Sequence, residues 1–393
     1  MSEEFVLIVD GARTPMGALG GALASVTAPE LAAVASRATL ERAGVEGDAV
    51  DEVFMGCVLP AGLRQCPARQ TAIAAGVPVS AGAVTVNKAC GSGMQATIFG
   101  YDSIRAGTNR VVLAGGMESM SNAPHLLPGA RSGFRLGSAT AYDHMMIDGL
   151  EDAYEGRAMG SYAQETADRE GISREAMDSY AIESLRRART AIAEGLLVDE
   201  IAPVTVSTRR GSHEVVDDEQ PGRADIERIP QLKPAFAKDG TITAANASSI
   251  SDGGSALLLM GAQEAERRGV TGLARIVAHA RHSQAPGEFT TAPVGAIAKL
   301  LEKTGWDADS VDLYEINEAF AMVTMLAMRD HGLDHERVNV HGGACAQGHP
   351  IGSTGSRIIV TLAHALKRRG GRRGIAALCI GGGEATAVAI ERG

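Results

Sequence analysis

Three short stretches place reactive side chains among glycines. The first is VNKACGSGM, residues 86–94, where Cys90 stands between a β-like run and an apolar, helix-like segment. A thiol there lies at a helix N-terminus if the helix begins at Gly91 or Ser92, and the free N–H groups and positive dipole end of that helix favour a thiolate. Such a cysteine is a nucleophile, and nearby backbone N–H groups could receive an oxyanion. The alternative is a small buried hydrophobe, the fate of most free cysteines. The second stretch, GGACAQGHPIGSTG, residues 342–355, holds His349 between Gly348 and Pro350. A histidine in so glycine-rich a turn suits proton transfer better than core packing. The third, CIGGGE, sets Cys379 at the end of an apolar strand facing three glycines, either as a proton-transfer group or as packing.

A fourth stretch, EINEAF, residues 315–320, is a strand-to-helix junction whose Asn317 and Glu318 are polar in an apolar setting; Asn317 could equally be a helix N-cap. Gly91-Ser-Gly-Met-Gln-Ala96 also satisfies G-x-G-x-x-A after a strand, with Glu118 near the end of the next, the pattern of a dinucleotide-binding unit. Against that reading, Lys88 and Cys90 would crowd a pyrophosphate, and this fingerprint normally opens the first βαβ unit of its domain. Metal ligation is disfavoured because no C-x-x-C or H-x₃-H spacing occurs.

These stretches need elements to hold them. Short β-branched runs (residues 5–9, 110–114, 311–316 and 375–380) alternate with longer amphipathic ones (28–43, 93–106, 292–304 and 355–368), which predicts an α/β architecture with buried sheets. With 393 residues, two or more core-forming units are expected. Residues 119–245, richer in Met, Arg, Asp, Glu and Pro, read as an excursion and not a third core domain. A faint symmetry relates the strand, glycine turn, helix and strand around Cys90 to those around His349 and Cys379; two facing units would bring both turns together.

Composition excludes several classes. A net charge of −10 does not suit a nucleic-acid surface. The basic run Lys367-Arg368-Arg369 fits a helix C-terminus instead. No apolar run is long enough to span a bilayer, and the N-terminal residues enter a strand without a basic leader, so no membrane and no export are expected. Five cysteines, Cys57, Cys66, Cys90, Cys345 and Cys379, do not resemble a disulfide framework; a reducing cytoplasm is expected.

Taken together, the four stretches resemble the thiolase family, in the family's chain order and over essentially the full length. VNKACGSGM resembles its nucleophile loop, NEAFA its asparagine motif, GHPIGSTGSR its histidine motif, CIGGGEA its second-cysteine motif, and residues 244–260 the strand and loop that hold coenzyme A. The resemblance implies a five-layered αβαβα fold of two βαβαβαββ halves, residues 1–118 completed by 246–272 and residues 273–393, with residues 119–245 as a loop domain over the coenzyme A site. It implies condensation of two acetyl-CoA to acetoacetyl-CoA plus coenzyme A, and the reverse thiolysis, the activity of an acetyl-CoA C-acetyltransferase.

In that scheme Cys90 is the nucleophile, His349 activates it, Cys379 is the base, and His349 with a water on Asn317 holds the enolate. The tetrahedral oxyanion rests on the N–H groups of Cys90 and Gly381. Ser248 contacts the pantetheine arm, Phe320 lines the acyl pocket and Met159 walls it. No metal or cofactor is implied, coenzyme A being substrate and product. A homotetramer is implied, with residues 125–148 as its assembly segment. Two departures bear on acyl chain length: Gln347 replaces a frequent leucine, and Ala158 stands where many acetoacetyl-CoA enzymes have histidine. A degradative 3-oxoacyl-CoA thiolase of broader chain length is the nearest alternative. The dinucleotide-dependent oxidoreductase and a non-catalytic thiolase-like binding protein are alternatives of other classes.

Overall fold

The computed structural model of the chain describes residues 5–209 and 211–393. Residues 1–4, with which the expected N-terminal half and its leaderless start begin, and Arg210 lie outside them.

Among the described residues the main sheet has nine strands of four or more residues: β1 Val6–Arg13, β2 Glu52–Gly56, β3 Gly82–Val86, β4 Val111–Ser119, β5 Ser251–Gly261, β6 Ala274–Ser283, β7 Leu313–Ile316, β8 Arg373–Ile380 and β9 Glu384–Glu391. Their order is β7-β8-β9-β6-β1-β5-β4-β2-β3, with the two-residue strand Gly17–Ala18 paired to β5. The helices that matter here are α1 Ala28–Ala43, α2 Pro67–Ala74, α3 Ser92–Arg105, α4 Met159–Arg169, α5 Arg174–Ala193, α6 Ala292–Thr304, α7 Ala321–His331 and α8 Thr354–Arg369. In the first half β2, β3 and β4 are parallel, and β5 returns antiparallel between β4 and β1. The last part repeats the plan, with β7 and β8 parallel and β9 antiparallel to β8 and β6. The counterpart of β3 is reduced there to a single bridge, Tyr314 to Val338. The two units form one continuous sheet, joined where Val6, Leu7 and Ile8 of β1 pair with Ile276, Arg275 and Ala274 of β6.

Strand periodicity explains the layers. On β5, Leu257 and Leu259 pack with Met94 and Ile98 of α3 and Ile358, Ile359 and Leu362 of α8. Their neighbours Ala256, Leu258 and Met260 pack with Ala32 and Ala35 of α1 on the other face. An unbroken apolar run is what a strand covered on both sides requires. On β8, Ala376 and Leu378 face the same central layer, while Ile375 and Ala377 face α6. The layers are therefore α1 with α2, sheet, α3 with α8, sheet, α6 with α7.

Glycines set the crossing of the two central helices. A Cβ on Gly355 would lie 2.4 Å from the backbone nitrogen of Met94, and one on Gly93 would lie 2.8 Å from that of Ser356, so neither helix tolerates a larger residue there. Both glycines sit in the first turn of their helix. The Cys90 turn enters α3 and the His349 turn enters α8, so this crossing brings the two turns together. The basic run 367–369 is the last turn of α8, as its charge predicts.

Candidate active site

The Cys90 turn is held by its own hydroxyl and one strained residue. Ser92 Oγ accepts the Lys88 N–H at 2.8 Å and donates to the Ala89 carbonyl at 2.6 Å. Ala89 adopts φ +43°, in the left-handed region that an L-residue occupies only when its surroundings insist. Lys88 forms an ion pair with Glu384, the first residue of β9, and ties the turn to the strand that follows Cys379. Gly91 allows a further close approach, since a Cβ there would lie 2.4 Å from Ile380 Cδ1.

The expected helix-end activation of Cys90 is not what this turn delivers. The N–H groups of Gly91 and Ser92 donate to the carbonyls of Lys88 and Ala89, so they do not reach the sulfur. The N–H groups of Gly381 and of Cys90 itself do, and they favour the thiolate. Burial outweighs them and pushes the Cys90 thiol up to about 11. The residue as a whole is only half-buried, but protein crowds its sulfur. At neutral pH Cys90 therefore rests as a neutral thiol.

His349 is buried and its Nδ1 lies 2.6 Å from Thr354 Oγ1. The Thr354 hydroxyl donates to the Pro350 carbonyl at 3.0 Å, so its oxygen accepts the Nδ1 proton. This assigns the tautomer with an unprotonated Nε2, which has no partner among the described residues. Burial, with the nearby Arg357 charge, pushes His349 down to about 3 and keeps it neutral. Cys379, at the end of β8, is buried, and burial followed by the neighbouring Cys90 raises its thiol far above the usual range. Asn317 follows β7; its backbone N–H donates to the Ala377 carbonyl at 2.9 Å, while neither polar atom of its side-chain amide has a partner among the described residues. It is not a helix cap, because α7 begins at Ala321 with Phe320 at the cap position.

A cavity of about 820 Å³ collects the rest. Cys90, His349, Cys379 and Gly381 all line it, as do Ser248, Met159 and Phe320. Of the expected site residues only Asn317 does not line it, being buried just behind Ala319 and Phe320. The acyl side is apolar: Phe320 meets Phe236 and Phe289 edge-on at 6.2 and 6.4 Å, and Met159 Cε reaches within 3.5 Å of where a Gly381 Cβ would be. Ala158 lines the cavity directly, whereas Gln347 turns away and donates to the His341 carbonyl at 3.0 Å. Gln220, Arg223, Asp225 and Arg228, which the sequence reading did not single out, also line the cavity.

One more residue escaped that reading, and two that it named, Glu118 and Glu318, serve in ways it did not foresee. Thr354 fixes the His349 tautomer. Glu118, fully buried at the end of β4, accepts the N–H groups of Val58, Leu59 and Gly352 at 3.0, 3.1 and 2.9 Å and so pins the His349 loop to the first half. Burial pushes its carboxyl up to about 7 despite those bonds. Glu318 binds four donors beside Asn317. The signal for Thr354 was its i+5 spacing from His349, and for both glutamates an acidic residue inside a buried apolar run. The G-x-G-x-x-A match is a packing motif here: its glycines seat α3 against Ile380 and Ser356, where a pyrophosphate would have to stand. Among the described residues no group of three or more His, Cys, Asp or Glu is placed to hold a metal ion, and no helix is long and apolar enough to cross a membrane.

Residues 6–263 match the thiolase N-terminal domain and residues 270–392 the thiolase C-terminal domain. The chain is 46% identical over 389 residues to an acetyl-CoA acetyltransferase of Cupriavidus necator, covering 98% of this chain and 99% of that protein. It is 47% identical to acetyl-CoA acetyltransferase 1 of Arabidopsis thaliana, covering 98% of this chain and 94% of that protein. Among solved structures, the Acat5 thiolase from Ascaris suum in complex with coenzyme A superposes with a TM-score of 0.93 at 40% identity, over 99% of this chain and 100% of that one. With its paired glycine turns, two converging thiols and one neutral imidazole on a shared cavity, the chain belongs to the thiolase family.

Proposed function

We propose that the protein is an acetyl-CoA C-acetyltransferase, joining two acetyl-CoA into acetoacetyl-CoA and coenzyme A and running the reverse thiolysis. The observation that carries this is the convergence of Cys90, His349, Cys379 and Gly381 on one cavity whose lining also holds the apolar side chains of Phe236, Phe289 and Phe320 and two arginines, Arg223 and Arg228. Arg223 and Arg228 suit the phosphates of coenzyme A, and Ser248 its pantetheine arm.

The chemistry follows from the protonation states. As Cys90 attacks the thioester carbonyl, its proton passes to His349 Nε2, and the N–H groups of Cys90 and Gly381 receive the oxyanion. Collapse expels the coenzyme A thiolate, which takes the proton of Cys379 and leaves as the thiol. Acetyl-Cys90, an imidazolium and the Cys379 thiolate remain. A thiol held so far above its usual range gives a strongly basic thiolate, matched to the weakly acidic methyl of a second acetyl-CoA. Cys379 removes that proton, and the enolate oxygen rests on His349 Nε2–H and, through a water, on the Asn317 amide. Attack of the enolate carbon on acetyl-Cys90 forms the new C–C bond. The Cys90 thiolate leaves and recovers its proton from His349, which closes the cycle.

The same reading includes a cytoplasmic setting, in which the five free thiols stay reduced, and a homotetramer built through residues 125–148, where Leu127, Phe134 and Leu136 are exposed. A broader degradative thiolase is the second reading, favoured by one observation: Ala158 leaves the cavity wall beside Met159 open where a larger side chain would close it. Coenzyme A-dependent cleavage of a 3-oxoacyl-CoA series, from acetoacetyl-CoA upward, decides between them. A sharp fall beyond four carbons supports the acetyltransferase, a flat or rising profile supports the second reading, and no cleavage of any member refutes both.

A further inference from the structure

A charged hub stands next to Asn317, and the mechanism above does not use it. Glu318 is fully buried. Its Oε1 accepts the Tyr180 hydroxyl at 3.0 Å and the Asn339 amide at 2.8 Å; its Oε2 accepts the Ser184 hydroxyl at 2.8 Å and the Cys345 N–H at 3.1 Å. The donors come from three segments that all bear on the site. Tyr180 and Ser184 lie on α5, whose Ala181 and Leu185 line the cavity. Cys345 belongs to the turn that leads to His349. Asn339 holds the other flank of Asn317: its Oδ1 accepts the Ile316 N–H and its Nδ2 donates to the Ile316 carbonyl, both at 2.8 Å. Asn339 sits at φ +48°, a conformation its surroundings must enforce. Asn317 is thus bracketed by Ile316, gripped by Asn339, and by Glu318, which grips Asn339 in turn.

We propose that Glu318 is a positioning residue whose carboxylate fixes the Asn317 amide relative to the coenzyme A wall on α5 and the His349 turn. The site requires a carboxylate and not an amide of the same shape. Only the two hydroxyls can reverse their hydrogen bonds. Cys345 offers a backbone N–H, and the Asn339 amide is locked by Ile316 on both sides. Either placement of a glutamine NH₂ therefore faces one donor that cannot turn.

This inference rests on the proposed enolate role of Asn317, and the test separates the two. Glu318→Gln and wild-type protein are compared for acetylation of Cys90 by acetyl-CoA and for exchange of the acetyl-CoA methyl protons with deuterated solvent. Wild-type protein that shows neither reaction refutes the proposed function and this inference with it. Given wild-type activity, Glu318→Gln is expected to slow exchange about 100-fold, the loss typical of a displaced oxyanion donor, with Cys90 acetylation within about threefold. In an Asn317→Ala background the same substitution should cost less than about twofold more, since both act through one group. Equal loss in both reactions, or full additivity with Asn317→Ala, overturns the proposal. Should Glu318→Gln not fold, Tyr180→Phe removes one of the four donors and is read the same way: loss confined to exchange supports it, and equal loss in both reactions overturns it.

Discussion

Raising the pH should speed alkylation of Cys90 by iodoacetamide about tenfold per unit between pH 7 and 10, with no plateau in that range. The thiol is pushed up to about 11, so the thiolate is only about 10⁻⁴ of the population at pH 7. A resting thiolate–imidazolium pair would have to move that proton to a ring held at about 3. The gap of about eight pH units, at about 1.36 kcal/mol each, is on the order of 11 kcal/mol. Attraction between the two charges in contact returns about 4 kcal/mol at an effective dielectric of 20. The neutral pair is then favoured by roughly 7 kcal/mol. The thiolate accordingly forms only with a thioester in place, when the N–H groups of Cys90 and Gly381 gain an oxyanion to hold. Stopped alkylation with peptide mapping separates Cys90 from the exposed Cys66 and the buried Cys379. A rate constant for Cys90 that is flat from pH 6 to 9 would refute this reasoning and establish a resting ion pair.

Three further outcomes are expected. Cys379→Ser should slow condensation far more than acetylation of Cys90, by about 100-fold or more against less than about tenfold, in single-turnover labelling; equal losses would assign Cys379 a packing role. Arg13→Met strips the partner from buried Glu200 and Asp218, held by Arg13 at 2.6 and 2.7 Å, and should lower stability by about 3–5 kcal/mol in urea titration. An unchanged urea midpoint would mean that the two carboxylates find other partners. Gly355→Ala forces a methyl against the Met94 backbone and should cost about 1–3 kcal/mol while lowering kcat more steeply, because it separates the Cys90 and His349 turns; a variant with wild-type melting and turnover would show that the crossing is not tight.

Much of the site was legible because its chemistry is local. Cys90, His349 and Cys379 each lie in a glycine-rich turn at the end of a strand or the start of a helix, and those turns are short-range features of the chain. Helices α1 and α6 occur at the expected residues, since their apolar period and terminal glycines lie in the sequence itself. What was not legible depends on contacts between distant segments. The thiol of Cys90 is protonated because distant segments bury it, among them the cluster of Val58, Met120, Met145 and Ile351, and no helix-end pattern reveals such crowding. The hydrogen-bonding roles of Glu118 and Glu318 were hidden because the donors that justify their burial come from segments 21 to 234 positions away. The counterpart of β3 in the second unit shrinks to one bridge at Val338, where Asn339 leaves the extended region to grip Ile316.

The most direct test of the central claim is the mass-mapped product of incubating the protein with acetyl-CoA alone, followed by a chase with free coenzyme A. A single acetyl group is expected on Cys90, discharged by the chase and absent in Cys90→Ala. Turnover of acetyl-CoA with no acetyl on Cys90, or with full activity retained in Cys90→Ala, would contradict it.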